Sequence, residues 1–349
     1  MKKISIGNRI VGCGAPCIIA AEAGLNHNGD LRLAHQLIDA AADAGADAIK
    51  FQNYRTEDFL KDSSLTYEYV SEGRTVVESQ YDMFKRCEVS QDWLLELREH
   101  CDRRDLIFFS TPTGEDGVAA LVDAAAALLK NGSDYLVHLP LIRCMARTGL
   151  PTVLSTGMAT LAEIDEAVTA FRQEGGKDLI LLHCTSSYPT PSEDVHLPKI
   201  PALAAAFDCL VGFSDHTWGT TAASGAVALG ACFVEKHFTI DRTLPGPDHR
   251  FSSDPVEFKA LVQEIRSLER CLKPAPVGPT ASESASRRDF RLSCVAGRDL
   301  PAGHDVTEAD VVFRRPGTGL PPKALITLIG RRLSRTVPAA KVLELDDFV

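Results

Sequence analysis

The chain has 349 residues, 45% hydrophobic and 24% charged, with a formal net charge of −10 at pH 7. That is room for one large domain and a small one, with the composition of an ordinary globular protein. An acidic total with no block of like charge argues against nucleic-acid and membrane-surface roles, which want a basic face, but not against a small anionic substrate.

Met1-Lys2-Lys3 is followed by ISIGNRIVG, too short an apolar stretch for a signal peptide. No run approaches the roughly 18 apolar residues of a membrane span. The ten cysteines are scattered without a CxxC pair and read as reduced, buried thiols. A cytoplasmic location is expected.

Residues 17–22, CIIAAE, form an apolar strand that delivers Glu22 to the loop AGLNHNGD. Asp30 can cap the helix LRLAHQLIDAAADAG, whose apolar residues recur at helical spacing and which stops at Gly45. Strand ADAIKFQ follows, with Lys50 and Gln52 on one face. Residues 53–89 read as a long irregular insertion, a lid or an edge of the substrate site. A helix from Ser90 to about Arg104 precedes strand LIFFST. Helix GEDGVAALVDAA, weak strand ALLK, helical LPLIRCMARTG, strand PTVLST and helix LAEIDEAVTAFRQEGG come next. Strand DLILLHCTS, a PTP turn and a helix around 199–207 lead into Cys209–His249. That stretch reads as strand CLVGF, turn SDHTWG, helix TTAASGAVALG and strand ACFVEKHF. Helix DPVEFKALVQEIRSLERCL closes the domain.

Eight strands alternating with helices predict an α/β fold, a (β/α)8 TIM barrel, over 1–272. The first glycine-rich turn lacks GxGxxG, which weakens a dinucleotide reading. KPAPVGPTASESASRR, residues 273–288, reads as a linker. Residues 289–349 carry short apolar runs broken by Gly and Pro, a small domain with little core of its own.

In a barrel the carboxyl ends of the strands converge. Here they bring together the acids Glu22 and Glu235, the lysines Lys50 and Lys130, and Gln52. The hydroxyls Ser110, Thr111, Ser133, Ser155, Thr156, Thr185 and Ser214 join them, with His183, His216 and His237. Lysines among hydroxyls make an anion cradle. His216 follows one strand and His237 ends the next, so parallel pairing sets the two imidazoles side by side. On FVEKHF the pleat puts Phe233, Glu235 and His237 on one face and Lys236 on the other. Two such histidines suit a metal, and equally suit hydrogen-bonding or packing roles.

At these residues the sequence resembles the sialic acid synthase family. The segments are IIAAEAGLNHNGD, AGADAIKFQ, FFSTP, LPLIRCMARTGLPTVLSTGMAT, HCTSSYPTP, VGFSDHTWG and VEKHFTIDRTLPGPDH, then DLPAGHDVTEADVVFRRPGTG. The last resembles that family's antifreeze-like SAF domain, which reaches over the partner's barrel in a swapped homodimer. The resemblance implies an N-acetylneuraminate synthase-like transferase. It would condense phosphoenolpyruvate with an N-acylated hexose to a nine-carbon 2-keto sugar acid and release phosphate. His216 and His237 match the pair that holds a divalent metal, Mn²⁺ or Mg²⁺. Lys50, Thr111, Lys130, Ser133, Ser155 and Ser214 match positions around phosphoenolpyruvate, with Gln52 nearby. Glu22, Tyr188 and Asp248 match positions around the sugar, with Glu22 the acid–base candidate. Arg315, in RRPG, matches the arginine that meets the N-acyl group across the dimer.

The chain departs from the family pattern after the fourth strand. Asn131 replaces an apolar residue, Asp134 a glycine and His138 an asparagine, and Ser186 stands where an asparagine is common. Two rival readings remain: a related condensing enzyme acting on a phosphorylated aldose, and a non-catalytic component of polysaccharide biosynthesis.

Overall fold

Apolar runs that end on a polar residue become the eight parallel strands of one sheet. They are β1 (Ile18–Gly24), β2 (Ala48–Asn53), β3 (Ile107–Pro112), β4 (Leu129–Asn131), β5 (Thr152–Ser155), β6 (Leu179–Cys184), β7 (Leu210–Asp215) and β8 (Phe233–His237). The computed structural model that places them describes residues 2–62, 64–71 and 73–349. The sheet order is β3-β2-β1-β8-β7-β6-β5-β4. Its two ends, β3 and β4, lie against each other, so the sheet wraps into a nearly closed barrel.

The outer layer is α1 (Leu31–Ala44), α2 (Gln91–Arg103), α3 (Glu115–Asp123), α4 (Leu139–Arg147), α5 (Leu161–Gln173), α6 (Lys199–Phe207), α7 (Thr221–Ala228) and α8 (Pro255–Cys271). Local chemistry sets their ends. Asp30 accepts from the Arg32 amide at the start of α1, and Gly45 ends it in the left-handed region at φ 88°. Thr160 and Glu163 form a capping box on α5. Among the described residues no helix is long and apolar enough to cross a membrane.

The pleat sorts the strand residues. Ile18, Ala20, Phe109, Val153, Ile180 and Phe233 pack together inside the barrel. Ile19, Ala21, Ile49 and Phe108 pack under the helices. Each such fully buried large side chain stabilises by about 1.5–3 kcal/mol. The sequence reading began at residue 17 and missed a hairpin before it, Lys3–Ile6 with Arg9–Gly12. Its Ile4, Ile6 and Val11 join the interior cluster at the end where the strands begin. The carboxyl mouth is left for chemistry.

The insertion over 53–89 is not irregular. It holds helices Thr56–Phe59 and Gln80–Arg86 and an antiparallel hairpin, Thr66–Ser71 with Arg74–Ser79. The hairpin was hidden because half of its strand residues are exposed and only Ser71 is fully buried, so no apolar alternation marks it.

The chain divides into two units, 1–273 and 274–349. The stretch expected to be a linker ends in a helix, Ser284–Phe290, preceded by a Thr280–Glu283 capping box. The second unit pairs Ser293–Ala296 with Val311–Arg314. It has a core of its own, from Cys294 and Leu300 through Val337 to Phe348. Buried carboxylates pin its loops: Asp310 takes Arg298, His304 and Thr307, and Asp347 takes Arg335 and Lys341.

Candidate active site

Strand register assembles the site. Pairing of β8 with β1 sets His237 beside Glu22, and pairing of β1 with β2 sets Glu22 beside Lys50. On the other side of β8, Glu235 is level with Ser214 of β7. Gln52 of β2 is level with Thr111 of β3. These side chains point into a cavity of about 460 Å³ at the carboxyl mouth. Glu22, Lys50, Gln52, Thr111, Lys130, Ser133, Ser155, Ser186, Tyr188, Ser214, His216, His237 and Asp248 all line it. Arg315 belongs to the second unit, where its guanidinium lies 5.0 Å from the centre of the Phe290 ring.

Four buried groups form a chain of alternating charge. Lys50 Nζ sits 3.2 Å from Glu22 and 3.0 Å from Glu235, and Lys130 Nζ sits 3.3 Å from the same Glu235 oxygen. Lys130 also donates to Ser155 at 3.2 Å, and Gln52 donates to Glu22 at 3.1 Å. Burial raises the Glu22 carboxyl to about 7, with Lys50 pulling the other way. Burial would lower Lys50, but Glu22 and Glu235 outweigh it and hold its pKa above the usual range. Burial lowers Lys130 despite Glu235. Burial would raise Glu235, but Lys130 and Lys50 keep it below the usual carboxylate range. With Glu22 protonated, two lysines face one carboxylate, and the quartet is net positive.

Ser133 Oγ accepts from the Gly157 amide at 3.1 Å. A Cβ at Gly157 would fall 2.4 Å from Ser186 Oγ and 2.6 Å from Ser133 Oγ, so this wall needs glycine. Thr111 Oγ1, Ser186 Oγ and Glu235 Oε2 are buried without a hydrogen-bond partner. Buried polar groups nearly always have one, so these atoms suit a polar ligand.

The His216 and His237 rings lie 5.5 Å apart, with Tyr188 4.1 Å from the first and Phe251 4.9 Å from the second. His216 Nδ1 donates to the Thr185 carbonyl at 2.8 Å, which leaves Nε2 as the acceptor, 3.3 Å from Ser214 Oγ. His237 Nδ1 has no hydrogen-bond partner and stands 3.7 Å from Asp248. Burial, then His216 and the lysines, push His237 well below the usual range, so its imidazole is neutral at pH 7. Burial raises Asp248 to about 6. A neutral imidazole with a bare nitrogen is the form that ligates a metal. His237 is already in it. At His216 burial would lower the pKa, but Cys184 and the Thr185 carbonyl hold it above the usual imidazole range, so metal binding there would release a proton. Among the described residues no group of three or more His, Cys, Asp or Glu is arranged to hold an ion. Two nitrogens with oxygen ligands from water or substrate suit Mn²⁺ or Mg²⁺ better than zinc.

Three residues expected at the mouth face the other way. His183 donates to the Val195 carbonyl in the helix layer, and Thr156 donates to Leu182. Ser110 is buried outside the cavity lining. The pleat explains it: Thr111, Ser155 and Cys184 point inward, so their neighbours in sequence point outward. Thr185 turns its hydroxyl to the Asp194 carbonyl. Sequence reasoning missed Tyr54, Tyr67, Phe84 and Tyr135, aromatic walls supplied by the insertion and by the turn after β4. Of the departures from the family pattern, Asp134 lines the mouth, Asn131 donates to the Tyr135 carbonyl, and His138 caps α4. A larger cavity, about 710 Å³, shares only Tyr54 and Thr113 with this one and gathers no lysine–imidazole group.

A near-closed β/α barrel with lysines, carboxylates and imidazoles at its carboxyl mouth, followed by a small β unit, defines the class. The NeuB family model matches residues 37–275 and the SAF domain model residues 293–349. The chain belongs to the NeuB family. It is 41% identical to an uncharacterized protein of Methanocaldococcus jannaschii, over 100% of this chain and 99% of that one. It is 38% identical to the N,N'-diacetyllegionaminic acid synthase of Legionella pneumophila, over 95% of this chain and 94% of that one. The crystal structure of N-acetylneuraminic acid synthetase from Leptospira borgpetersenii is similar at a TM-score of 0.73. It is 36% identical and covers 82% of this chain and 95% of its own.

Proposed function

We propose that the chain condenses phosphoenolpyruvate with an N-acylated hexose to a nine-carbon 2-keto sugar acid, releasing phosphate. The observation that carries this is the buried Lys50–Glu235–Lys130 arrangement beside partnerless hydroxyls. A dry pair of ammonium groups is an anion site for phosphate and carboxylate. Glu22, poised near 7, is able to take and return a proton at neutral pH. Asp248 and Gln52 face the acceptor's hydroxyls, and Tyr188 with the insertion's tyrosines covers it.

His216 and His237 would hold Mn²⁺ or Mg²⁺, which would polarise the acceptor's aldehyde oxygen. Within the N-acyl hexoses we favour a diacetamido sugar, because of the likeness to the Legionella synthase. Arg315 would read the N-acyl group from a swapped partner. Cys17, Cys87, Cys101, Cys184, Cys232 and Cys294 are buried free thiols, which suits a reducing cytoplasm.

The test is a panel of N-acetylmannosamine, diacetamido-trideoxy hexoses and phosphorylated aldoses with phosphoenolpyruvate and Mn²⁺. Released phosphate and product mass are read together. A nine-carbon acid from an N-acyl hexose supports the reading. Turnover confined to phosphorylated aldoses, or none with any sugar, refutes it.

A further inference from the structure

Behind the two imidazoles, on the face of the sheet turned away from the cavity, lies a second buried ion pair. Pairing of β7 with β8 sets Asp215 level with Lys236 as its last rung. Their neighbours Ser214 and Glu235 line the cavity, so these two side chains point outward. Both are almost wholly buried. Lys236 Nζ lies 2.8 Å from Asp215 Oδ2 and donates to the Thr217 carbonyl at 2.6 Å. Asp215 Oδ1 accepts from the Thr217 amide at 2.9 Å and from its hydroxyl at 2.8 Å. The residues on both sides of His216 are thus tied to one ammonium, and that ammonium belongs to the residue before His237.

Backbone pairing between β7 and β8 stops one residue short of both histidines. His237 is level with Glu22 of β1, on the far side of its strand. The His216 ring is held by the Thr185 carbonyl, and the His216 carbonyl accepts from the Thr190 amide. Those bonds fix His216 to the segment after β6, not to His237. The Lys236–Asp215–Thr217 bonds carry the link between the two histidines past the end of the ladder. A buried ion pair adds little to stability, because desolvation offsets attraction, so its contribution here is to geometry.

We propose that Lys236 and Asp215 are positioning residues that hold His216 at the spacing from His237 needed to share one divalent cation. This rests on the metal reading of the two histidines. Neither residue touches substrate or cation. They act through the backbone of residues 215–217, which sets where the His216 imidazole stands.

The test is Mn²⁺ binding by the metal-stripped full chain, read from the electron paramagnetic resonance of free Mn²⁺. Wild type, His237→Ala, Thr217→Val and the pair variant Asp215→Asn/Lys236→Met are compared. The pair variant conserves volume and leaves no unpaired buried charge, and its fold is checked by melting temperature. Wild type should bind an equivalent that His237→Ala loses. The folded pair variant should bind it about tenfold more weakly, and Thr217→Val should be weakened less in the same direction. Metal-free phosphoenolpyruvate binding, by calorimetry, should stay within about twofold of wild type, because the clamp and the lysine pocket lie on opposite faces of the sheet. Equal Mn²⁺ affinity in wild type and the folded pair variant overturns the clamp and leaves the metal reading standing. If the pair variant does not fold, unchanged affinity in Thr217→Val overturns it instead. Equal losses of Mn²⁺ and phosphoenolpyruvate binding would make the pair a general support of the mouth, which also overturns it. No His237-dependent equivalent in wild type overturns the metal reading, and the clamp with it.

Discussion

Lys50 and Glu22 stand level on neighbouring parallel strands and meet at 3.2 Å, with both side chains almost wholly out of water. A buried ion pair of this kind stabilises a fold little, because desolvation offsets attraction. Its value here is that Glu22 sits near 7 while Lys50 stays charged.

Glu22→Gln tests that balance. The carboxyl is raised from 4.5 to about 7 in the fold. Below 4.5 both folded and unfolded chains hold the proton. Between 4.5 and about 7 only the folded chain holds it, so this group's contribution falls as pH rises through that window, then levels off. In metal-free protein, the melting temperature of Glu22→Gln relative to wild type should climb from pH 4.5 to 7 and then stay flat. A difference independent of pH contradicts the assignment. Condensation by this variant should fall about 100-fold or more.

Lys130→Met keeps the volume and removes the charge. Glu235 retains Lys50 as a partner at 3.0 Å, so the fold should survive. The specificity constant for phosphoenolpyruvate should drop about 100- to 1,000-fold, measured by steady-state phosphate release. A change under about threefold would remove Lys130 from the anion site.

The barrel was legible because CIIAAE and DLILLH are nearly continuous apolar runs, as a two-sided buried strand must be. Order along the chain then set Lys50 beside Glu22 and Glu22 beside His237. Pleat parity, applied to ADAIKFQ and FVEKHF, was not carried to DLILLHCTS, where Leu182 inward requires His183 outward. Tyr67 was not legible, because its hairpin lies half exposed and lacks apolar alternation. Nor was the double use of Glu235, since side-chain reach across a barrel is a tertiary property. The likeness to a known family located the cavity residues that parity alone would not have ranked.

Tyr67 lines the cavity from the insertion, and its hairpin is tied to the loop after β8 by the Gly246 amide on Ser71 Oγ. Tyr67→Ala should raise the acceptor's KM about tenfold and leave that of phosphoenolpyruvate within about twofold. Equal rises in both would make the hairpin a general support and not an acceptor wall.

Asp310 is 0% exposed in the second unit and is held below the usual carboxylate range. Burial opposes this, but His304, Thr307 and Arg298 outweigh it. A depressed carboxylate contributes stability above its unfolded value of 3.8, and loses it as pH falls below that. Asp310→Asn should cost about 2 kcal/mol at pH 7, read by denaturant unfolding, with the difference from wild type shrinking below pH 4. An equal loss at pH 3 and pH 7 would mean the charge plays no part.

The central claim is that His216 and His237 hold the cation the reaction needs, beside the lysine-lined pocket. The direct measurement is phosphate release from phosphoenolpyruvate and an N-acyl hexose by metal-stripped protein, before and after Mn²⁺, in wild type and His237→Ala. Wild type should be silent until Mn²⁺ is added, and His237→Ala, folded by circular dichroism, should stay silent. Full turnover by the stripped wild type, or by the variant, would contradict the account.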